Sequence, residues 1–481
     1  MQDAVQGLEP QSLWKYFSDI SSIPRESGNE GGMQAYLIAF AQEHGLTYIK
    51  DKTGNIIIRK GATAGFETKP SVALQGHMDM VCVKDEGIVH DFATDPLTLV
   101  REGDILKAKG TTLGADNGIA VALMLSILSD SEAQHGPLEA IFTVEEETGL
   151  TGAFGLEEEH INSRLLLNLD SEDEGVFYIG CAGGIETRVT KTVTQRVPSP
   201  QSKAFLLSSN GMQGGHSGAE IHTQRANAIK AAARVLTALP SFALFRAEGG
   251  TKRNVIPSTA TFGFVIDGSL EALLTEAVQR VQAELSDEYE ISDPQIMLTL
   301  TATELPGLVI DEGESKAFIT ALYAADHGVD AMSMSIPGIV ETSTNLAILS
   351  FDGSLLKVIA SHRSSILSAR DDVARRFAAP FILIGSDVSF EGGYPSWKPD
   401  PSSKLAGFCA KAYEQYTGKK ATITAIHAGL ECGIINSRVG GMDSVSFGPK
   451  MWDAHSTKER VSISSVAWLD GFTRHLLKII E

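Results

Sequence analysis

Cysteine is scarce in this chain: Cys82, Cys181, Cys409 and Cys432 are the only four in 481 residues, widely separated and without a CxxC pair. That pattern excludes a disulfide framework and reads as thiols buried in a protein of a reducing compartment, so the expected location is cytoplasmic. Basic residues are in deficit, 40 Lys and Arg against 60 Asp and Glu, for a formal net charge of -20. A surface this acidic cannot displace counterions from phosphate, which excludes nucleic acid as an expected partner. Bound divalent cations could neutralise part of the excess. No uninterrupted apolar stretch approaches the roughly 20 residues that span a bilayer. The opening MQDAVQGLEPQSLWKYF has neither the basic nor the apolar region of a signal peptide. No GxSxG elbow occurs, and Ser217 beside His216 in GGHSGAE is a poor start for a triad, so a serine hydrolase is disfavoured.

The composition that remains, 43% apolar and 21% charged, is that of a globular protein, and 481 residues favour two domains over one. Apolar β-type runs (NIIIRK, SVALQG, EAIFTV, RLLLNL) alternate with helical segments such as GGMQAYLIAFAQEHG and IAVALMLSIL up to about residue 185. This is the texture of a doubly wound α/β layer. Beyond Gly180 the strands become polar and two-periodic (ETRVTKTVTQRV, ATFGFVIDG, IMLTLTATE, SLLKVIASHRSS), with helices expected near 226–239, 269–286 and 366–377. An α+β lid domain over 186–388, inserted into a catalytic domain formed by 1–185 and 389–481, accounts for the change. The proline-rich GGYPSWKPDPSS, 392–403, marks the return, followed by a helix, two more strands and a terminal helix from about Ser464.

The chemistry gathers where apolar runs end. In an open α/β sheet, ligands bind outside the carboxyl ends of the strands. His77 and Asp79 follow SVALQG, Asp116 sits in GADNG, Glu145, Glu146 and Glu147 follow EAIFTV, and Asp170 closes LLLNLD. Taken singly, each has an ordinary explanation. His77 with Asp79 is as readily a surface pair, Asp116 a helix N-cap, the glutamate run a solvated loop, and His455, near the start of the last helix, a cap. Taken together, they place more negative charge at strand ends than is tolerable without cations. A histidine and a carboxylate for each of two ions, with one carboxylate between them, suits Zn²⁺ or a similar metal.

At these residues the chain resembles the co-catalytic zinc peptidases that include carboxypeptidase G, acetylornithine deacetylase, peptidase T and carnosinase. The landmarks run over essentially the whole chain: GHMDMV, GTTLGADNGIA, EEETGLTGAFGL, NLDSEDEG, GGHSG, NVIPS, GYPSWKPDP, HAGLECG and AHSTKERV. The resemblance implies two Zn²⁺ per chain, replaceable by Co²⁺ or Mn²⁺. His77 and Asp170 would hold one ion, Glu147 and His455 the other, and Asp116 would bridge them through a loop with a cis bond to Asn117. It further implies that Asp79 orients His77 and that Glu146 is the general base for a zinc-activated water, the register being counted back from Thr148 and Gly149. His216 would stabilise the oxyanion, Asn254 and Arg363 would hold the substrate carboxylate, and Glu431 and Gly433 the free amine. The implied activity is hydrolysis of unblocked dipeptides, notably aminoacyl-histidine. The alternatives are an N-acyl amino acid deacylase or a tripeptide aminopeptidase with the same metals. No membrane partner is expected. An insertion of single size would favour a homodimer supplying His216 in trans, whereas a doubled one would supply it within the chain.

Overall fold

The computed structural model describes residues 2–481 and divides them into two compact units. The first comprises the chain up to Cys181, then Trp397–Ala425 and Leu430–Glu481, and the second comprises Ala182–Ser396 with Ile426–Gly429. The first boundary thus lies four residues before the expected 185/186, the second eight after 388/389, and the return of 426–429 to the second unit has no counterpart in the sequence reading.

The first unit is α/β. Its eight-stranded sheet runs Thr47–Lys50, Ile56–Lys60, Leu138–Thr143, Val72–His77, Leu165–Asn168, Asp443–Ser446, Val176–Cys181, Thr422–Ile426. The central four strands are parallel. Every residue of Val72–His77 and of Leu138–Thr143 is buried, as expected where a parallel sheet is covered on both faces. The helix Ala115–Ser129 is apolar all round and almost wholly buried, so it forms part of the core and has no amphipathic face. Parallel register aligns the strand ends, His77 opposite Thr143 and Gln75 opposite Asn168. The residues that follow each strand therefore emerge along one edge. A small second sheet joins Met451–Trp452, Arg460–Ser462, Ile105–Ala108 and Leu99–Glu102. His455 lies in the turn between the first two of these strands, with φ of 61°, and not at the start of the terminal helix, which begins at Ile463.

The second unit carries a nine-stranded sheet built from two similar halves. One half orders Met297–Thr303, Ser202–Asn210, Ala260–Asp267 and Ala243–Gly249; the other orders Val340–Asp352, Leu355–Ser364, Gly183–Thr192 and Asp387–Tyr394, and the ninth strand, Gly328–Met332, pairs with Val340–Asp352. They meet through two residue pairs, Glu248 with Ser350 and Gly249 with Leu349. Each half contributes two helices in sequence order, Ala228–Thr237 and Glu271–Glu288, then Glu312–Ala324 and Leu367–Leu383. Phe262, Phe264, Phe318, Phe377 and Phe381 anchor the shared core. The helix Glu312–Ala324 was not expected from its mixed pattern, although Asp311 gives a local signal by accepting the N–H groups of Gly313 and Glu314 as an N-cap. In GGYPSWKPDPSS, Gly392 to Tyr394 complete a strand and irregular backbone begins only at Pro395.

Candidate metal centre and active site

Seven side chains of the first unit converge at the aligned strand ends. His77 is 1% exposed and ends its strand, with Nδ1 3.2 Å from Asp79 Oδ1 and Nε2 3.1 Å from Asp116 Oδ1 and 3.5 Å from Asp170 Oδ1. His455 Nε2 lies 3.0 Å from both Asp116 Oδ2 and Glu147 Oε2. Among the described residues, three groups can each offer donors within 4.8 Å of one another: His77 with Asp116 and Asp170, Asp116 with Glu147 and His455, and His77 with Glu146 and Glu147. The first two share Asp116, one oxygen turned to each histidine. Glu145 belongs to none of these groups; its N–H donates to Glu30 Oε1 at 3.0 Å.

The loop that presents Asp116 is unusual. Gly114, at φ 66°, caps the helix, the Asp116–Asn117 peptide is cis, and both residues depart from helical angles. Asp116 is therefore not the N-cap that its local sequence suggests. Asp79 does more than orient an imidazole. Its carboxylate also accepts the N–H groups of Glu146 and Glu147, each at 3.1 Å, and the Ser27 hydroxyl at 2.7 Å. One buried anion thus fixes both the His77 ring and the turn that carries the two glutamates. Burial opposes its charge, but His77, Ser27 and the Glu146 N–H hold the Asp79 pKa down to about 2.

The other acids feel each other. Burial, then Asp170, Glu147 and Glu431, outweigh His77 and push Glu146 well above the ordinary carboxylate range. Asp170 and Glu147 are also raised, burial being the main cause. Glu172 is held up to about 7 by burial and then by Asp116, an acid of this cluster that the sequence reading passed over in the loop after Asp170. Burial disfavours charge on His77, yet Asp170, Asp116 and Asp79 together raise its pKa well above 6.5. His455 is raised to about 11 by its bonds to Asp116 and Glu147.

These features fit a pair of divalent cations. The donors are imidazole nitrogens and carboxylate oxygens, each triad has one histidine and two acids, and Glu147 Oε1 is buried without a hydrogen-bond partner. Without a cation, the raised pKa values of His77 and His455 favour their charged forms, which would offset part of the acids' charge. Their contribution to stability is complete below the unfolded histidine value near ~6.5 and fades as pH rises toward the folded values. A divalent cation bound by these nitrogens would displace those protons, so uptake of such a cation at pH 7 is expected to release protons, and its apparent affinity to rise with pH. Calorimetry in buffers of different ionisation enthalpy measures the release; uptake with no proton released would contradict the pairing.

Glu431 and Gly433 share the helix Glu431–Arg438. Glu431 is fully buried, its Oε2 accepting from Gln75 Nε2 at 2.5 Å and Thr143 Oγ1 at 2.7 Å, and burial raises its pKa to about 7. Its Oε1 has no hydrogen-bond partner. The N–H of Gly433 donates to Leu430 O within its own turn.

In the second unit, His216 and Asn254 lie on neighbouring loops, bridged by His216 with Val255 and by the Ser217 N–H to Asn254 O at 2.8 Å. His216 Nδ1 accepts from Ala219 N at 3.0 Å, which leaves Nε2 to carry the ring's proton. Arg363 is buried, donates to Tyr394 Oη at 3.0 Å and leaves Nε without a hydrogen-bond partner. Gly218 separates His216 from Arg363: a Cβ there would lie 3.1 Å from one ring and 3.3 Å from the other's guanidinium. The sequence reading missed His427, also buried in this group, whose Nε2 lies 2.7 Å from Ser343 Oγ.

Two triads of candidate metal donors sharing a carboxylate, with a further acid beside them, have the composition of a metal-dependent hydrolase site. Residues 73–480 match the model of peptidase family M20/M25/M40, and the chain belongs to that family of metal-dependent peptidases. The cytosol non-specific dipeptidase of Escherichia coli (strain K12) is 37% identical over 476 residues, 98% of each chain. The crystal structure of aminoacylhistidine dipeptidase from Vibrio alginolyticus superposes with a TM-score of 0.91 at 38% identity, covering 99% of this chain and 98% of that one. A tripeptidase from Staphylococcus aureus, at 17% identity and a TM-score of 0.57 over 98% of this chain and 99% of that one, shares the fold.

Proposed function

We propose that the protein is a dizinc dipeptidase that hydrolyses unblocked dipeptides, Xaa-His among them. The observation that carries the metal assignment is the position of Asp116, one oxygen against His77 and the other against His455. In this reading His77 and Asp170 hold one ion, Glu147 and His455 the other, and Asp116 both. Dipeptides are favoured because the two relatives that match over nearly the whole chain are named as dipeptidases. When bound, such ions supply Lewis acidity to a water nucleophile and to the scissile carbonyl.

The protein's own groups supply the proton traffic and the grip. Glu146, which burial holds above the ordinary carboxylate range, takes the proton of the attacking water and delivers it to the leaving amine. Asp79 holds the His77 tautomer whose Nε2 faces the acids. We assign His216 Nε2 to the developing oxyanion and Arg363 with Asn254 to the substrate carboxylate, for which a guanidinium is the suited donor. Glu431, with its unpartnered buried oxygen, and the adjoining Gly433 are assigned to the free amine. Four free cysteines and the cytosolic naming of the Escherichia coli relative support a cytoplasmic location. Among the described residues, no helix is long and apolar enough to cross a membrane.

The purified protein is expected to release histidine from an Xaa-His dipeptide, to lose that activity with a chelator and to regain it with zinc. N-acetylated amino acids and tripeptides serve as the competing substrates. Preferential hydrolysis of either by the zinc-loaded protein would replace this assignment.

A further inference from the structure

Two buried charges near the metal centre have no part in the reaction described above. Glu459, 2% exposed, accepts four consecutive backbone N–H groups: Oε2 from Leu113 at 2.7 Å and Gly114 at 2.9 Å, Oε1 from Ala115 at 2.7 Å and Asp116 at 3.2 Å. These are the donors a kinked helix start leaves without partners, and a single carboxylate from 343 or more residues away satisfies all of them. Arg25, also 2% exposed, donates to Met78 O at 3.1 Å, to Asp79 O at 3.0 Å and to Gly114 O. Gly114 is therefore held through its N–H by Glu459 and through its C=O by Arg25. No side chain fits between, since a Cβ would meet the guanidinium and come within 2.7 Å of the Met80 sulfur.

The position of Glu459 adds a second constraint. It stands four residues after His455, whose Nε2 lies 3.0 Å from Asp116 Oδ2. One short segment thus grips Asp116 by its side chain and by its backbone, while Arg25 ties the same loop to the strand end that carries His77 and Asp79. Both charges are buried and each directs its hydrogen bonds to backbone groups around Asp116 and the 78–79 strand end, an arrangement that fixes a loop at the cost of desolvating a charge.

We propose that Glu459 and Arg25 are positioning residues that set the place of Asp116 and, through it, the affinity for both cations. The inference rests on the dizinc reading of the site. Its test is zinc titration of the metal-free protein against a chromophoric chelator, for wild type, Glu459→Gln and the double variant Arg25→Met/Glu459→Gln. The glutamine presents an amide to donors that need an acceptor. The double variant removes both charges, so neither is left buried alone. Zinc affinity is expected to fall by about 10- to 100-fold at both sites in each variant, the range typical of losing a partner behind the ligands. In the double variant that loss is expected in protein that is still folded at the titration temperature, its melting temperature lowered by the backbone groups left without partners. A merely structural role predicts a lowered melting temperature with wild-type zinc affinity in the folded protein, and that result would overturn the proposal. A wild-type chain that binds no zinc would instead overturn the dizinc reading and this inference with it.

Discussion

Replacing Glu146 with glutamine is expected to lower kcat by about 10²- to 10⁴-fold, the range a positioned general base contributes, while bound zinc stays at two per chain. Glutamine keeps the shape and removes only the capacity to take a proton. The turn that carries residue 146 is pinned through backbone N–H groups to Asp79, so the substitution leaves Glu147 in place. The same experiment settles the register of the three glutamates. Glu147→Gln should shed zinc, because Glu147 Oε2 is the oxygen that meets His455. Glu145→Gln should do little, since Glu145 belongs to none of the donor groups. Metal loss from Glu146→Gln with full turnover restored at high zinc would give Glu146 a ligand's role and sink the base assignment.

The second large effect is expected at Asp116. Asp116→Ala should bring zinc from two equivalents to none in a single step, because the residue belongs to two of the three donor triads, one with each histidine. Asp170→Ala and His455→Ala remove a donor from one triad each and should first empty one site. The affinity loss at Asp116 should exceed the roughly 10- to 100-fold that removal of an outer partner causes. Removing it also leaves His77 and His455 without the carboxylate that both of them face, so their pKa values should fall toward the ordinary range. Metal stoichiometry by atomic emission and histidine titration by NMR read both consequences. Retention of one tightly held zinc in Asp116→Ala would show that the carboxylate is not shared.

The α/β alternation of the first 185 residues was legible because short apolar runs followed by glycine, histidine or acid are strands of a covered sheet, and each proved to be a strand, three of them parallel and Ile56–Lys60 antiparallel. His77, Asp116, Glu147, Asp170 and His455 were nameable as a set because the motifs around them are specific. The second unit was less legible. Its strands Ser202–Asn210, Ala243–Gly249 and Val340–Asp352 are mixed in polarity, since one face of an antiparallel sheet needs no apolar residues. Glu459 and Arg25 could not be singled out at all, because a lone charge in ERV or PRE looks like any surface residue until its surroundings are closed.

What the sequence by itself determined is which chemical groups stand at the ends of which apolar runs. Burial and strand period are local properties, written in the order of neighbouring residues. Only the tertiary structure decided which oxygen meets which nitrogen. Asp116 reaches His455 across 339 residues and its backbone is held by Glu459 across 343, distances at which local pattern carries no information. Parallel register, the small sheet that carries the 451–462 turn and the buried Arg25 bring those segments to within 3 or so Å, and the shared carboxylate exists only once they have done so.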